Sequence, residues 1–150
     1  MAHPGRDAVH VQSRLVTPDR ELEAAIALGY ERRDRADMAP TIAYFEGLLA
    51  EHPGHPVLTY EVAGAYDTAG QETEARIRYE EALRLGLAGE NLRRCLCEYG
   101  STLRWLGQYD GSLAVLERGL REFPESDSMR VFTRSPCTRS VVTTKHSRNY

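Results

Sequence analysis

The sequence predicts an all-α fold, an α-α superhelix (a solenoid) of three antiparallel helix pairs with an irregular N-terminal leader and an irregular C-terminal tail. One observation is self-similarity: laid over itself at a 34-residue offset, the segment from Leu22 to Pro53 matches the segment from Pro56, and a third copy begins at Arg93. Another is the size of the residues that match. With Leu22, Pro56 and Arg93 as first places, the seventh places hold Leu28, Val62 and Tyr99, and the eighth hold Gly29, Ala63 and Gly100. Thr41, Ala75 and Ser112 are small at the twentieth place, Phe45, Tyr79 and Leu116 are large at the twenty-fourth, and Leu49, Leu83 and Leu120 follow at the twenty-eighth. Two helices that cross closely need this arrangement, because a Gly or Ala on one leaves the notch that a bulky side chain on the other fills.

Residues 1–16 show no sustained period and read as a leader. Thr17 suits a helix cap, Pro18 the first helical place, and Asp19 and Glu21 the negatively charged first turn. The first pair is expected over 18–34 and 38–52, with Asp37 as cap of the second helix and Pro40 in its first turn, where a missing amide hydrogen costs little. The second pair is expected over 56–69 and 73–85, broken at Gly70. The connection Gly86-Leu87-Ala88-Gly89-Glu90 is longer than the others, lengthens the repeat offset to 37, and predicts an altered stacking angle. The third pair is expected over 91–106 and 110–122, with Asp110 as cap and Pro124 as stop. The repeat domain therefore spans 17–126, with units at about 22–55, 56–89 and 93–126. Residues 127–150 form the tail, in which Asp127 to Phe132 allows at most a partial capping helix before Pro136. Arrays need such a cap because each unit covers only its neighbour. Lys145, the only lysine, lies in this tail, a shift in usage that suggests a separate origin for it, such as a change of reading frame.

At 150 residues, 41% hydrophobic and 27% charged, the composition is that of an ordinary globular domain. No apolar run is long enough for a membrane helix, and Met1 to Asp7 lacks the apolar core of a signal peptide, so a cytoplasmic address and no membrane partner are expected. Cys95, Cys97 and Cys137 are an odd, sparse set that fits reduced thiols better than a disulfide frame. Residues 17–126 hold 12 Arg against 20 acidic residues. That balance would repel phosphates, so no nucleic-acid partner is expected.

The ladder of small and large residues resembles the tetratricopeptide repeat, in the form of a short bacterial-type protein of that family. Unit three carries the nearest stretch, Leu103-Arg104-Trp105-Leu106-Gly107-Gln108-Tyr109-Asp110, followed by Ser112, Leu116, Leu120 and Pro124. Unit two has Tyr66, Gly70, Ala75, Tyr79 and Ala82 at the corresponding places. Unit one is degenerate, with Arg32 in place of an aromatic and Ala36 in place of the turn glycine, and retains Gly29, Phe45 and Pro53.

Signatures of catalysis are missing. There is no Gly-rich phosphate loop ending in Lys-Ser or Lys-Thr, no His-Glu-x-x-His and no Gly-x-Ser-x-Gly. Cys95 and Cys97 lie two apart on an expected helix and diverge by about 200°, so they cannot share an ion unaided. His52 and His55 read as turn residues, and Glu80 and Glu81 as helix-surface charges. No enzyme, metal or cofactor is expected.

The resemblance implies a concave groove lined by the first helix of each pair, through the second, fifth, ninth and twelfth to thirteenth places. Unit one supplies Glu23, Ile26, Tyr30, Arg33 and Asp34. Unit two supplies Val57, Tyr60, Gly64, Asp67 and Thr68. Unit three supplies Arg94, Cys97, Ser101, Arg104 and Trp105. Tyr30, Tyr60 and Trp105 suit the anchoring of a peptide side chain, and Arg33, Arg94 and Arg104 the holding of carboxylates. The family's clamp for a C-terminal carboxylate uses Lys and Asn at the fifth and ninth places, which here hold Ile26 and Tyr30, Tyr60 and Gly64, Cys97 and Ser101, so that mode is not expected. The implied function is a non-enzymatic scaffold for protein-protein interaction, with a peptide or partner helix in the groove. The alternative is a homo-oligomer, most simply a homo-dimer, formed through the uncapped C-terminal end. A metal protein or enzyme built on His52, His55 and the cysteines ranks last.

Overall fold

A computed structural model describes residues 18–134, and within them the chain is seven helices joined by short turns. They are α1 (Pro18–Glu31), α2 (Ala39–Glu51), α3 (Pro56–Thr68), α4 (Glu72–Arg84), α5 (Gly89–Trp105), α6 (Tyr109–Glu122) and α7 (Asp127–Arg134). Each packs on the next, and α3 also touches α5, the helix two places along, so the three pairs stack into one solenoid. The expectations for Thr17, the leader, Cys137 and Lys145 lie outside the described residues.

The small-into-large rule governs the crossings. A Cβ placed on Gly29 would lie 2.5 Å from Phe45 Cζ, and one on Gly100 would lie 2.7 Å from Leu116 Cδ2. Ala63 and Tyr79, the pair at the same places in unit two, are both fully buried in one apolar cluster. Ser112 adds a polar tie, its hydroxyl donating to the Gly100 carbonyl at 2.6 Å. A further notch follows the same logic: Met129 of α7 seats against Gly119 and is fully buried. Phe132 joins it over Leu116 and Leu120, so α7 covers the last pair where a further unit would otherwise stack.

Turn chemistry separates unit one from the others. Gly70 and Gly107 sit at φ 73° and 74°, a left-handed conformation that costs glycine nothing. Each closes the same helix end, with Gln71 N donating to Tyr66 O at 2.9 Å and Gln108 N donating to Leu103 O at 2.8 Å. Unit one has Ala36 there, and residues 32–38 make a longer loop. Its backbone is held by aspartates, Asp34 accepting from Ala36 N at 2.9 Å and Asp37 from Ala39 N at 3.2 Å. Asp110, expected as a cap, instead lies inside the first turn of α6, because that helix begins at Tyr109 with Gln108 as cap residue and no side-chain cap bond. His55 caps α3, its Nδ1 accepting from Leu58 N at 3.4 Å. The longer connection before α5 buries Leu87, which is 5% exposed and joins the central cluster.

Candidate functional site

The first helices α1, α3 and α5 face one hollow, and α3, the middle one, packs against α2, α4 and α5. All six residues from Leu58 to Ala63 are buried, Glu61 included at 6% exposure. A carboxylate cannot remain in such a run without donors, and tyrosines supply them. The Tyr30 hydroxyl donates to Glu61 Oε2. Tyr60, 1% exposed, donates to Glu98 Oε2 at 2.9 Å, and Tyr79, fully buried, donates to Asp67 Oδ2 at 3.1 Å. Thr102 donates to the other Asp67 oxygen at 3.1 Å. Arg94 lies over the Tyr60 ring at 5.9 Å and places Nη2 3.8 Å from Glu98 Oε1.

These groups line a cavity of about 300 Å³. Its lining includes the buried Glu61, the half-buried Asp67 and Glu98, the tyrosines Tyr30, Tyr60 and Tyr79, and Arg33 with the exposed Arg35. Arg33 lies over the Tyr30 ring at 5.4 Å. Burial raises all three carboxyls above their usual range, against the opposing pull of the hydroxyls that donate to them. Burial likewise pushes the Tyr30 hydroxyl up to about 12 and raises Tyr60 and Tyr79, so at neutral pH the phenols stay protonated and act as donors. The hollow thus combines one buried acidic acceptor, Glu61, and two half-buried ones with arginine donors.

Of the residues the repeat register assigns to the groove, the structure brings Tyr30, Arg33, Tyr60, Asp67 and Arg94 together, with Gly64 and Thr68 beside them. The rest are elsewhere. Glu23 is exposed on α1 outside the cavity, and Ile26 packs on the core formed by Met38, Phe45, Val62 and Ala65. Cys97 packs beside the group formed by Leu96, Leu116 and Met129, and Ser101 is half-buried without lining the cavity. Arg104 turns to α7, its guanidinium 4.9 Å from the Phe132 ring, with Nε and Nη2 buried and without a bonding partner among the described residues. Trp105 is 79% exposed.

Glu61 and Glu98, central to the cavity, are not among the sequence candidates. A signal for them exists: both occupy the sixth place of their units, and Glu61 interrupts an otherwise apolar run between Tyr60 and Val62. Cys95 is fully buried, and burial pushes its thiol up to about 12, which keeps it protonated and inert. Among the described residues no three His, Cys, Asp or Glu side chains converge in a way that would hold a metal ion.

The family model described as Tetratrico peptide repeat matches residues 56–134, just over half of the chain. Among curated proteins no match was found. The solved structures similar to this chain include the Sgt2 TPR domain from Aspergillus fumigatus, at 19% identity and a TM-score of 0.71, over 89% of this chain and 86% of that one. The first TPR domain of human RPAP3 aligns at 16% identity and a TM-score of 0.70, over 83% and 95%. The first TPR of Spaghetti, solved with the HSP90 peptide SRMEEVD, aligns at 15% and 0.70, over 85% and 98%. At such identities the likeness is one of fold, and it agrees with the notched helix crossings and the repeated glycine turns. The family model and the architecture together place this chain in the tetratricopeptide repeat family.

Proposed function

We propose that the protein is a non-enzymatic interaction module that takes an extended peptide or a partner helix of another protein on its concave face. The observation that carries this reading is the single cavity to which the first helices of all three units contribute, through Tyr30, Glu61 and Arg94 among others. A site drawn from three successive units matches the way solenoid curvature produces a binding surface. The similar Spaghetti domain, solved with a peptide, lends support by analogy. Self-association through the end of the array is the less favoured reading, because α7 already covers that end with Met129 and Phe132. No helix of the described residues is long and apolar enough to cross a membrane.

Gly64 provides the test. It lies mid-helix on the cavity wall, and a Cβ there would meet nothing within 4 Å. Gly64→Leu therefore fills the hollow without overpacking, and a better helix former replaces glycine. Displayed peptides of random sequence, selected on the wild-type protein, should lose binding to Gly64→Leu while its melting temperature holds or rises. Selected peptides that bind both proteins equally would move the interaction surface off the concave face.

A further inference from the structure

Resting on that reading, we infer that the cavity selects its peptide by a single basic side chain, an Arg or Lys, inserted between Glu61 and Glu98. Glu61 is 6% exposed, and its Oε2 is occupied by Tyr30. Its Oε1 receives no hydrogen bond from any described residue and opens on the cavity. A mostly buried carboxylate with one oxygen left open to the cavity is a position where a charged donor gains a strong bond. Glu98 stands across from it with Oε2 taken by Tyr60 and Oε1 only loosely matched by Arg94 at 3.8 Å.

The surrounding charges bear on the same point. Three carboxyls line the cavity, Glu61 the most buried of them, and Arg94 lies among them. Burial raises Glu61, Asp67 and Glu98 above the ordinary carboxylate range despite the donors around them, so each would gain from a further close donor. Tyr30 and Tyr60 flank the space with ring faces, which attract a guanidinium or ammonium, as Arg33 and Arg94 show by lying over those same rings. Arg33 and Arg35, which also line the cavity, would repel further positive charge. The preferred ligand is accordingly a peptide with one basic residue among neutral or acidic neighbours. The peptide on the similar Spaghetti domain, SRMEEVD, itself carries one Arg among neutral and acidic residues.

The experiment uses the random-sequence peptides selected on the full chain, titrated by fluorescence anisotropy against wild type, Glu61→Gln, Glu98→Gln and Gly64→Leu. Thermal melts are run in parallel. Glutamine keeps one acceptor oxygen for Tyr30 or Tyr60 while the charge is lost and the second oxygen becomes an amide donor, so both variants should fold and neither should hold a cation. The expected result is a shared Arg or Lys in the selected peptides, with binding weakened about ten- to a hundredfold by either glutamine variant, the size of a lost charged hydrogen bond. Replacing that Arg by citrulline, or acetylating that Lys, should cost a similar factor on wild type and much less on Glu61→Gln. Selected peptides without a common basic residue, or peptides that bind Glu61→Gln and Glu98→Gln as tightly as wild type, would overturn the inference. If those peptides still lost binding to Gly64→Leu, the groove reading would survive alone. Failure to select any peptide would overturn both.

Discussion

The twelfth places of the three units, Arg33 just past the end of α1, Asp67 on α3 and Arg104 on α5, meet different surroundings. Arg33 and Asp67 border the cavity, where Asp67 accepts from Tyr79 and Thr102. Arg104 has no following first helix beside it and leans instead on Phe132 of the short α7. Repeat register therefore identifies a face, whereas the next helix along decides whether that face becomes a site. Tyr60 and Trp105 make the contrast sharpest. Tyr60 is held between α3, α4 and α5 with its hydroxyl committed to Glu98, and Trp105 ends α5 in solvent.

The largest effect is expected at Tyr60. Tyr60→Ala removes a ring that is 1% exposed and lies 6.2 Å from Tyr79, and it takes from Glu98 the shorter of its two tyrosine hydrogen bonds. Truncating a buried aromatic costs about 3–5 kcal/mol, so urea denaturation should show a loss of that size. Tyr60 is then a wall that shapes the cavity and also a support for the fold. Binding tests at this position confound the two roles, so Gly64→Leu is the better probe of the groove. A loss below about 1 kcal/mol would show that α3 repacks easily and that the cavity is softer than its burial indicates.

The fold was legible from the sequence because its determinants are local and repeated. Gly29 before Phe45, Gly100 before Leu116 and the turn glycines Gly70 and Gly107 each act within one unit. The candidate site was legible only in part, because it is made by contacts between units. Tyr30 to Glu61 and Tyr60 to Glu98 link residues 31 and 38 positions apart, and no spacing within a unit announces them. Glu61 was hidden for a further reason. Carboxylates on helices default to solvent, and only the burial of every residue from Leu58 to Ala63 shows that this one does not. The fate of Arg104 depended on α7, whose sequence carries no repeat signal of its own.

The acidic lining gives the cavity end a pH signature that the Trp105 end lacks. Burial raises the carboxyl of Glu61, so the folded state holds its proton more tightly than the unfolded chain. Its contribution is fully present below the unfolded value of about 4.3 and is lost as pH rises through the folded value, each tenfold gain in proton affinity on folding being worth about 1.4 kcal/mol. Other carboxylates change with pH as well, so the informative quantity is the difference between Glu61→Gln and wild type. That difference should be smallest near pH 4 and should grow in favour of the variant towards neutrality, measured by denaturation at a series of pH values. The same substitution is expected to weaken peptide capture, so stability and binding should move in opposite directions. A pH-independent difference would mean that Glu61 titrates as an exposed acid, and the unsatisfied Oε1 would then be a weak magnet for a cation.

The smallest effect is expected at the other end. Trp105 is 79% exposed at the C-terminal residue of α5, so Trp105→Ala should change stability by no more than about 0.5 kcal/mol. It should also leave the affinity of groove-selected peptides unchanged, because the cavity lining does not include it. Light scattering over a range of concentrations gives this substitution its discriminating readout. If wild type gains mass with concentration and Trp105→Ala does not, the exposed indole is a contact between copies of the chain, and the self-association reading gains the support that α7 alone denies it. If neither protein changes mass and only Gly64→Leu loses peptide, the two ends of the concave face differ in function as they differ in packing. A tryptophan at a groove place would then be an ordinary solvent-exposed side chain, left over where the repeat series runs out of neighbours.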